Sequence, residues 1–196
     1  NIQPSTITNR QREWRISSGP VTIDTTRIVV NDFRVRSARQ MLHLDGVASR
    51  SREDSLTLVM QEFDISPFMG FAKRMNYTVS GQGSGVASMK SVLSGGELMA
   101  DIDIDSMYVN EFAVAPLCLL SAWDMNQQRV RVRVKNQRTG ENIVTGYYDP
   151  TSVRYYAEGT FEKMPMASLN PVLRGVMSGT EGEASAKLEI AGQRRL

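Results

Sequence analysis

The chain has 196 residues, 41% of them hydrophobic, and a formal net charge of +2, so no strong field marks it for nucleic acid or an acidic membrane surface. One histidine and one cysteine exclude an internal disulfide framework, a Cys-based metal site and the common zinc sites. No run of about 18 apolar residues exists, so no span of a membrane by a helix is expected within this segment.

Alternation with period two, the mark of half-buried strands, dominates from the N-terminus onward. Trp14 and Ile16, Val21 and Ile23, Leu42 and Leu44, then Leu56, Leu58 and Met60 form the apolar sides of successive strands. The turn signals SSGP, VNDF and SREDS separate them. Ser66-Pro67 then precedes Phe68, Phe71, Ala72 and Met75. That spacing predicts a short helix, with Ser66 as its cap and Pro67 in its first turn.

SGQGSG follows and reads as a turn. It lacks the Gly-Lys-Ser/Thr ending of a phosphate-cradling loop and recurs loosely as GTEG. After the turn LSGG, Ile102 and Ile104 alternate with Asp101, Asp103 and Asp105. The run 116–124 reads as a buried strand leading into RVRVRV at 129–134, where Val130, Val132 and Val134 oppose Arg129, Arg131 and Arg133. NQRTGEN and YDPTS read as turns on either side of a further strand. Val153 and Tyr155 alternate next. Asn170-Pro171 precedes Val172, Leu173 and Val176 and predicts a second, shorter helix. SGTEG and the pair Leu188 and Ile190 close the series.

Two sequence matches recur in the same order. IDTTRIVVNDFRV at 23–35 aligns with IDIDSMYVNEFAV at 102–114, sharing Ile23/Ile102, Asp24/Asp103, Val30/Val109, Asn31/Asn110, Phe33/Phe112 and Val35/Val114. FDISP at 63–67 aligns with FEKMP at 161–165. The matches predict two β units, 1–90 and 91–196, continuous with each other. A unit with one apolar face cannot bury that face alone, and stacking in line gives a continuous core or groove. Asn1 and the closing GQRRL are read as cuts in a longer chain, with any anchor or export signal outside it.

No residue set points to catalysis, and an enzyme is not expected; neither is a cofactor or a metal. His43 lies in MLHLDG on the face opposite Leu42 and Leu44, a solvent-facing strand position. Asp101, Asp103 and Asp105 could hold Ca²⁺, but no Gly-bounded loop would wrap the ion, and a solvated strand face is the simpler reading. The arginines of RVRVRV read as a polar outer face that discourages edge aggregation. Cys118, inside APLCLLSAW, reads as a buried thiol. Tyr147, Tyr148, Tyr155 and Tyr156 leave a carbohydrate-binding reading open, though tyrosine suits strands generally.

In the ordered series VNDF, LDGVAS, DSLTL, FDISPF, SGxGSG, SAWD, TGYYDP and EGEASAKLEIAG, the chain resembles the TamB family of Gram-negative envelope proteins, in its Bacteroides-like versions. These are related to the AsmA-like lipid-bridging proteins, and the resemblance covers nearly the whole chain. It implies an all-β fold: an elongated, internally repeated, curled β-sheet (a β-taco or groove) with one or two short helices. It also implies a periplasmic location within a protein anchored in the inner membrane. The implied role is carriage of phospholipid acyl chains and support of outer-membrane assembly. An outer-membrane barrel protein is the implied partner, through regions outside this segment.

The expected lining of the groove is Leu56, Leu58, Met60, Ile102, Ile104, Val130, Val132, Val134, Val153 and Tyr155. The same residues would serve a closed hydrophobic core, which leaves a structural or interaction module, a spacer or adhesin, as the alternative.

Overall fold

The computed structural model describes residues 3–9, 12–66, 69–70, 77–110, 112–166 and 181–193. Those residues form one antiparallel sheet of fourteen strands that does not close. The strands are β1 (Ser5–Asn9), β2 (Arg12–Ser17), β3 (Val21–Ile23), β4 (Ile28–Ser37), β5 (Gln40–Ala48), β6 (Ser55–Asp64) and β7 (Val79–Lys90). They continue with β8 (Glu97–Val109), β9 (Phe112–Ala113), β10 (Leu117–Asp124), β11 (Arg129–Asn136), β12 (Asn142–Asp149), β13 (Arg154–Pro165) and β14 (Glu183–Gln193). The path is a meander, β1-β2-β4-β5-β6-β7-β8-β10-β11-β12-β13-β14, with β3 paired to β4 and β9 to β8. At the usual spacing of strands, that path runs about 50 Å from edge to edge.

Short polar turns explain the meander. Asp24 accepts from the amides of Thr26 and Arg27 between β3 and β4. Asp149 accepts from Thr151 and Ser152 between β12 and β13. Such side-chain acceptors stabilise a tight reversal that brings consecutive strands side by side. The expected strand over 116–124 is β10. The expected helix after Asn170-Pro171 lies outside the described residues, as does most of the one after Ser66-Pro67; a 3-10 turn spans Val92–Ser94.

Two expected turns are strand instead. SGQGSG lies inside β7. Gly85 has φ +151°, and a Cβ there would fall 2.1 Å from the Asp101 carbonyl oxygen. The glycine answers a close approach between strands rather than a reversal. VNDF lies inside β4, where Asn31 and Asp32 oppose Asp45 alone in a β-bulge and Asp32 has φ 51°. The residues that favour turns also favour bulges, because both need a left-handed backbone.

The first sequence match is only partly mirrored in the backbone. Ile23 ends the short β3 and Asp24 caps a turn, whereas Ile102 and Asp103 sit in the middle of β8. The pairs Met60↔Gly85, Phe63↔Gly83 and Asp64↔Gln82 do recur, at one constant offset, as Phe161↔Ala186, Met164↔Ala184 and Pro165↔Glu183. The hairpins β6–β7 and β13–β14 therefore share one register and one bulge.

No side chain among the described residues is fully buried, and the buried apolar set is Val30, Ala48, Met60, Ile65, Leu117 and Val130. The chain exposes 13238 Å², where a compact monomer of this mass exposes about 9,300 Å². A single-layer sheet accounts for the difference.

Candidate functional site: the apolar face of the sheet

Directly paired residues of an antiparallel ladder point to the same side, so register alone assigns the faces. One row runs Phe33–Leu44–Leu58–Ala87–Ala100–Ser121–Val132–Gly146–Ala157–Ile190, from β4 to β14. The next runs Ile16–Val35–Leu42–Met60–Gly85–Ile102–Leu119–Val134–Val144–Gly159–Leu188. On the other flank lie Leu56, Met89 and Leu98, then Trp123, Val130, Tyr148 and Tyr155.

The first row is low in its middle. From β7 to β13, its side chains are mostly Ala, Ser or Gly, and those of the two flanking rows are larger except at Gly85 and Gly159. This run of small side chains spans about 24 Å across the strands. Ile190 and Leu188 at one end of the face are 48% and 53% exposed, and Ile7 at the other is 53% exposed.

Near β2 this face folds inward. The rings of Trp14 (β2) and Phe63 (β6) stand 6.0 Å apart, although three strand intervals of a flat sheet would separate their backbones by about 14 Å. Ile65, just past β6, is buried over the glycines of β7, its Cγ2 lying 3.1 Å from where a Gly83 Cβ would be.

The structure places Leu56, Leu58, Met60, Ile102, Ile104, Val130, Val132, Val134 and Tyr155 on this one face. Val153 is not among them. It has φ 50° and belongs to the turn before β13, outside any strand. Sequence reasoning passed over Phe33, Val35, Leu119, Trp123, Val144 and Tyr148, which the register adds. The pairing of β10 between β8 and β11 brings Leu119 and Trp123 into line, and the pairing of β11 with β12 adds Val144 and Tyr148.

The opposite face carries the charge. His43 is on it, its Nε2 2.9 Å from Asp32 Oδ1, with Arg34 on the same carboxylate. Arg129 stacks over the Tyr147 ring at 3.9 Å, and Tyr147 stacks on Tyr156 at 5.8 Å. The four tyrosines are thus split: Tyr147 and Tyr156 pack on each other on the polar side, and Tyr148 and Tyr155 pair on the apolar side. No single tyrosine platform results.

Cys118 is half-buried rather than buried and lies on this polar face, its Sγ 3.7 Å from Asp101 Oδ1. Partial burial and the carboxylates of Asp103 and Asp101 push its thiol pKa up. Asp101, Asp103 and Cys118 bring their ligand atoms within 4.8 Å of one another. However, Asp103 already accepts from Gln137 Nε2 at 2.5 Å. That arrangement fits a solvated strand face.

Comparison of the chain with protein-family models, with curated proteins and with solved structures finds no match.

Proposed function

We propose that this segment carries phospholipid acyl chains along the apolar face of its sheet, as a non-enzymatic part of a periplasmic, envelope-spanning protein. This is the role implied by the resemblance to the TamB family, with outer-membrane assembly as the process served. In this reading the inner-membrane anchor and the contact with an outer-membrane barrel protein lie outside the segment.

One observation carries the reading: apolar rows continue without a charged residue from β4 to β14 on one side of an unclosed sheet. A hydrocarbon chain on such a face gains roughly 0.8 kcal/mol per buried CH₂. Uniform apolar lining gives every position along these rows similar energy, so a chain can slide. The internal likeness of β6–β7 and β13–β14 supports a lengthening of the face by repetition. The exposure of Leu188 and Ile190 supports an open face over the sealed interior that a simple spacer would have.

The test is photo-crosslinking in cells, with a photoreactive residue at Val132 or Ile104 on the apolar face and at Arg131 on the other. Lipid adducts at Val132 and Ile104, and none at Arg131, are expected. Capture at Arg131 alone would overturn the reading.

A further inference from the structure

We propose that the polar face of the sheet is a second, separate interaction surface, on which two copies of this chain pack face to face about β10. The proposal concerns the side away from the apolar rows and does not depend on lipid carriage.

The polar face is not uniformly polar. Val86 and Met99 are 45% and 44% exposed on it. With Leu120 and Ala122 they line an open hollow of about 520 Å³, bordered by Asp101 on one side and by Arg131 and Arg133 on the other; Ala100, Ser121 and Val132, whose row belongs to the apolar face, also contribute to its lining. Exposed apolar side chains grouped within a charged rim mark association surfaces.

The charges are ordered by the strands. β8 presents Asp101, Asp103 and Asp105, and β11 presents Arg129, Arg131, Arg133 and Lys135. β10 runs between them and contributes Leu120 and Ala122. Leu120 pairs with Asp101 on one side and with Arg133 on the other, so all three share one row. Neither Asp101 nor Arg133 has an ion-pair partner among the described residues, and Arg131 reaches only Asp124, at 3.3 Å.

This arrangement is complementary to itself. A two-fold axis along β10 lays β8 of each copy over β11 of the other. It keeps every row level, so Asp101 comes over Arg133 of the second copy, twice per dimer. Leu120 and Ala122 then meet their own copies at the centre, while Met99 comes over Arg131 and Val86 over Thr145 of the second copy. Isologous contacts of this kind need a patch that matches itself under rotation. Aligned sheets also pack with their strands within about 30° and about 10 Å apart, a gap that an arginine and an aspartate can bridge. A second copy is favoured over an unrelated partner because acid, apolar strip and base occur in mirror order across a single strand.

The experiment is sedimentation of the 196-residue chain over a range of concentrations, with two charge-reversed variants. A monomer–dimer equilibrium, weakened by added salt, is expected of the unaltered chain. Asp101→Arg sets arginine against arginine, and Arg133→Asp sets aspartate against aspartate. Each alone is expected to raise the dissociation constant roughly tenfold or more.

An equimolar mixture of the two variants places opposite charges at both contacts and is expected to recover the dimer. A misfolded variant could not be rescued in this way, and circular dichroism of each variant checks the fold independently. A chain that stays monomeric, or a mixture that does not re-associate, overturns the proposal. So does assembly beyond dimers that ignores both reversals, which would indicate pairing of the sheet edges β1 and β14.

Discussion

Glu62 and Ser84 face each other across a β-bulge, and the amide of Glu62 donates to the Ser84 hydroxyl oxygen at 2.9 Å. Among the described residues the same device occurs three times. Asp32 donates to Asp45 Oδ2 at 2.9 Å, and Lys163 donates to Ser185 Oγ at 3.3 Å. In each, two residues oppose one, and the second of the two has positive φ: 51° at Asp32, 44° at Glu62 and 51° at Lys163. The bulge takes one amide out of the ladder, and a side chain of the facing residue accepts it instead. Bulges bend and twist a sheet locally, so these caps help fix the bend of the strands that carry them.

Ser84→Ala is therefore expected to lower stability by about 1 kcal/mol, the usual net worth of one hydrogen bond. Ser185→Ala should lower it less, because its bond is longer and exposed. Glu62→Gly removes the side chain from a left-handed position and should raise stability by up to about 1 kcal/mol. Urea unfolding of the three variants measures all of this. Equal losses for Ser84→Ala and for a serine with no such bond would remove the capping argument.

Gly85→Ala is expected to be far more damaging than an ordinary glycine substitution. Its Cβ would meet the Asp101 carbonyl at 2.1 Å, and its φ is +151°. Both strands are held by ladders on each side, so neither can retreat cheaply. A loss of about 2–4 kcal/mol follows from overpacking and backbone strain together. Gly140→Ala, with φ +75° and open space around its Cβ, bears the backbone strain alone and should cost only about 1 kcal/mol. Parallel thermal and urea melts of the two variants separate the contributions.

The outcome at Gly85 also shows what the sequence made legible and what it hid. Period-two alternation located most strands, because a half-buried strand must alternate whatever it pairs with. SGQGSG and VNDF were misread as turns, since glycine, asparagine and aspartate serve reversals, bulges and close approaches alike. Residue identity matched Phe63 to Phe161, but ladder register makes Phe161 the counterpart of Met60. Side-chain identity drifts easily on a half-exposed face, whereas a change of register would move every neighbour to the wrong side. The acidic run of β8 and the basic run of β11 were each visible. Their symmetry about Leu120 was not, because it depends on β10 pairing between them.

The turn from β3 to β4 should carry a pH signature. Asp24 accepts from the side chain and amide of Thr26 and from the amide of Arg27, and these bonds lower its pKa to about 2. The unfolded chain holds the same carboxyl near its ordinary value of 3.8. The ionised form is favoured by folding, so its contribution is present in full above pH 4 and is lost as pH falls toward 2. Comparison of melting temperatures for the unaltered chain and Asp24→Ala should give a constant gap above pH 4 that closes by about pH 2. A gap that widens on acidification would reverse the sign and discard the account.

Enlarging the row of small residues tests whether its shape matters apart from its apolar character. Ala100 lies in that row, paired with Ala87 and Ser121. Ala100→Phe adds a large apolar group without adding charge and projects onto an unclosed face. The ladder on both sides of β8 is untouched, so a melting temperature within a few degrees of the unaltered chain is expected. Lipid adducts at a photoreactive residue replacing Val132, on the same row two strands away, should fall several-fold, because the aromatic ring blocks passage along the row. Ala122→Phe on the opposite face of β10 is the control and should leave the adducts unchanged. If Ala100→Phe captures lipid as well as the unaltered chain, hydrocarbon does not run along this row, and the apolar side would owe its character to covering by another protein surface.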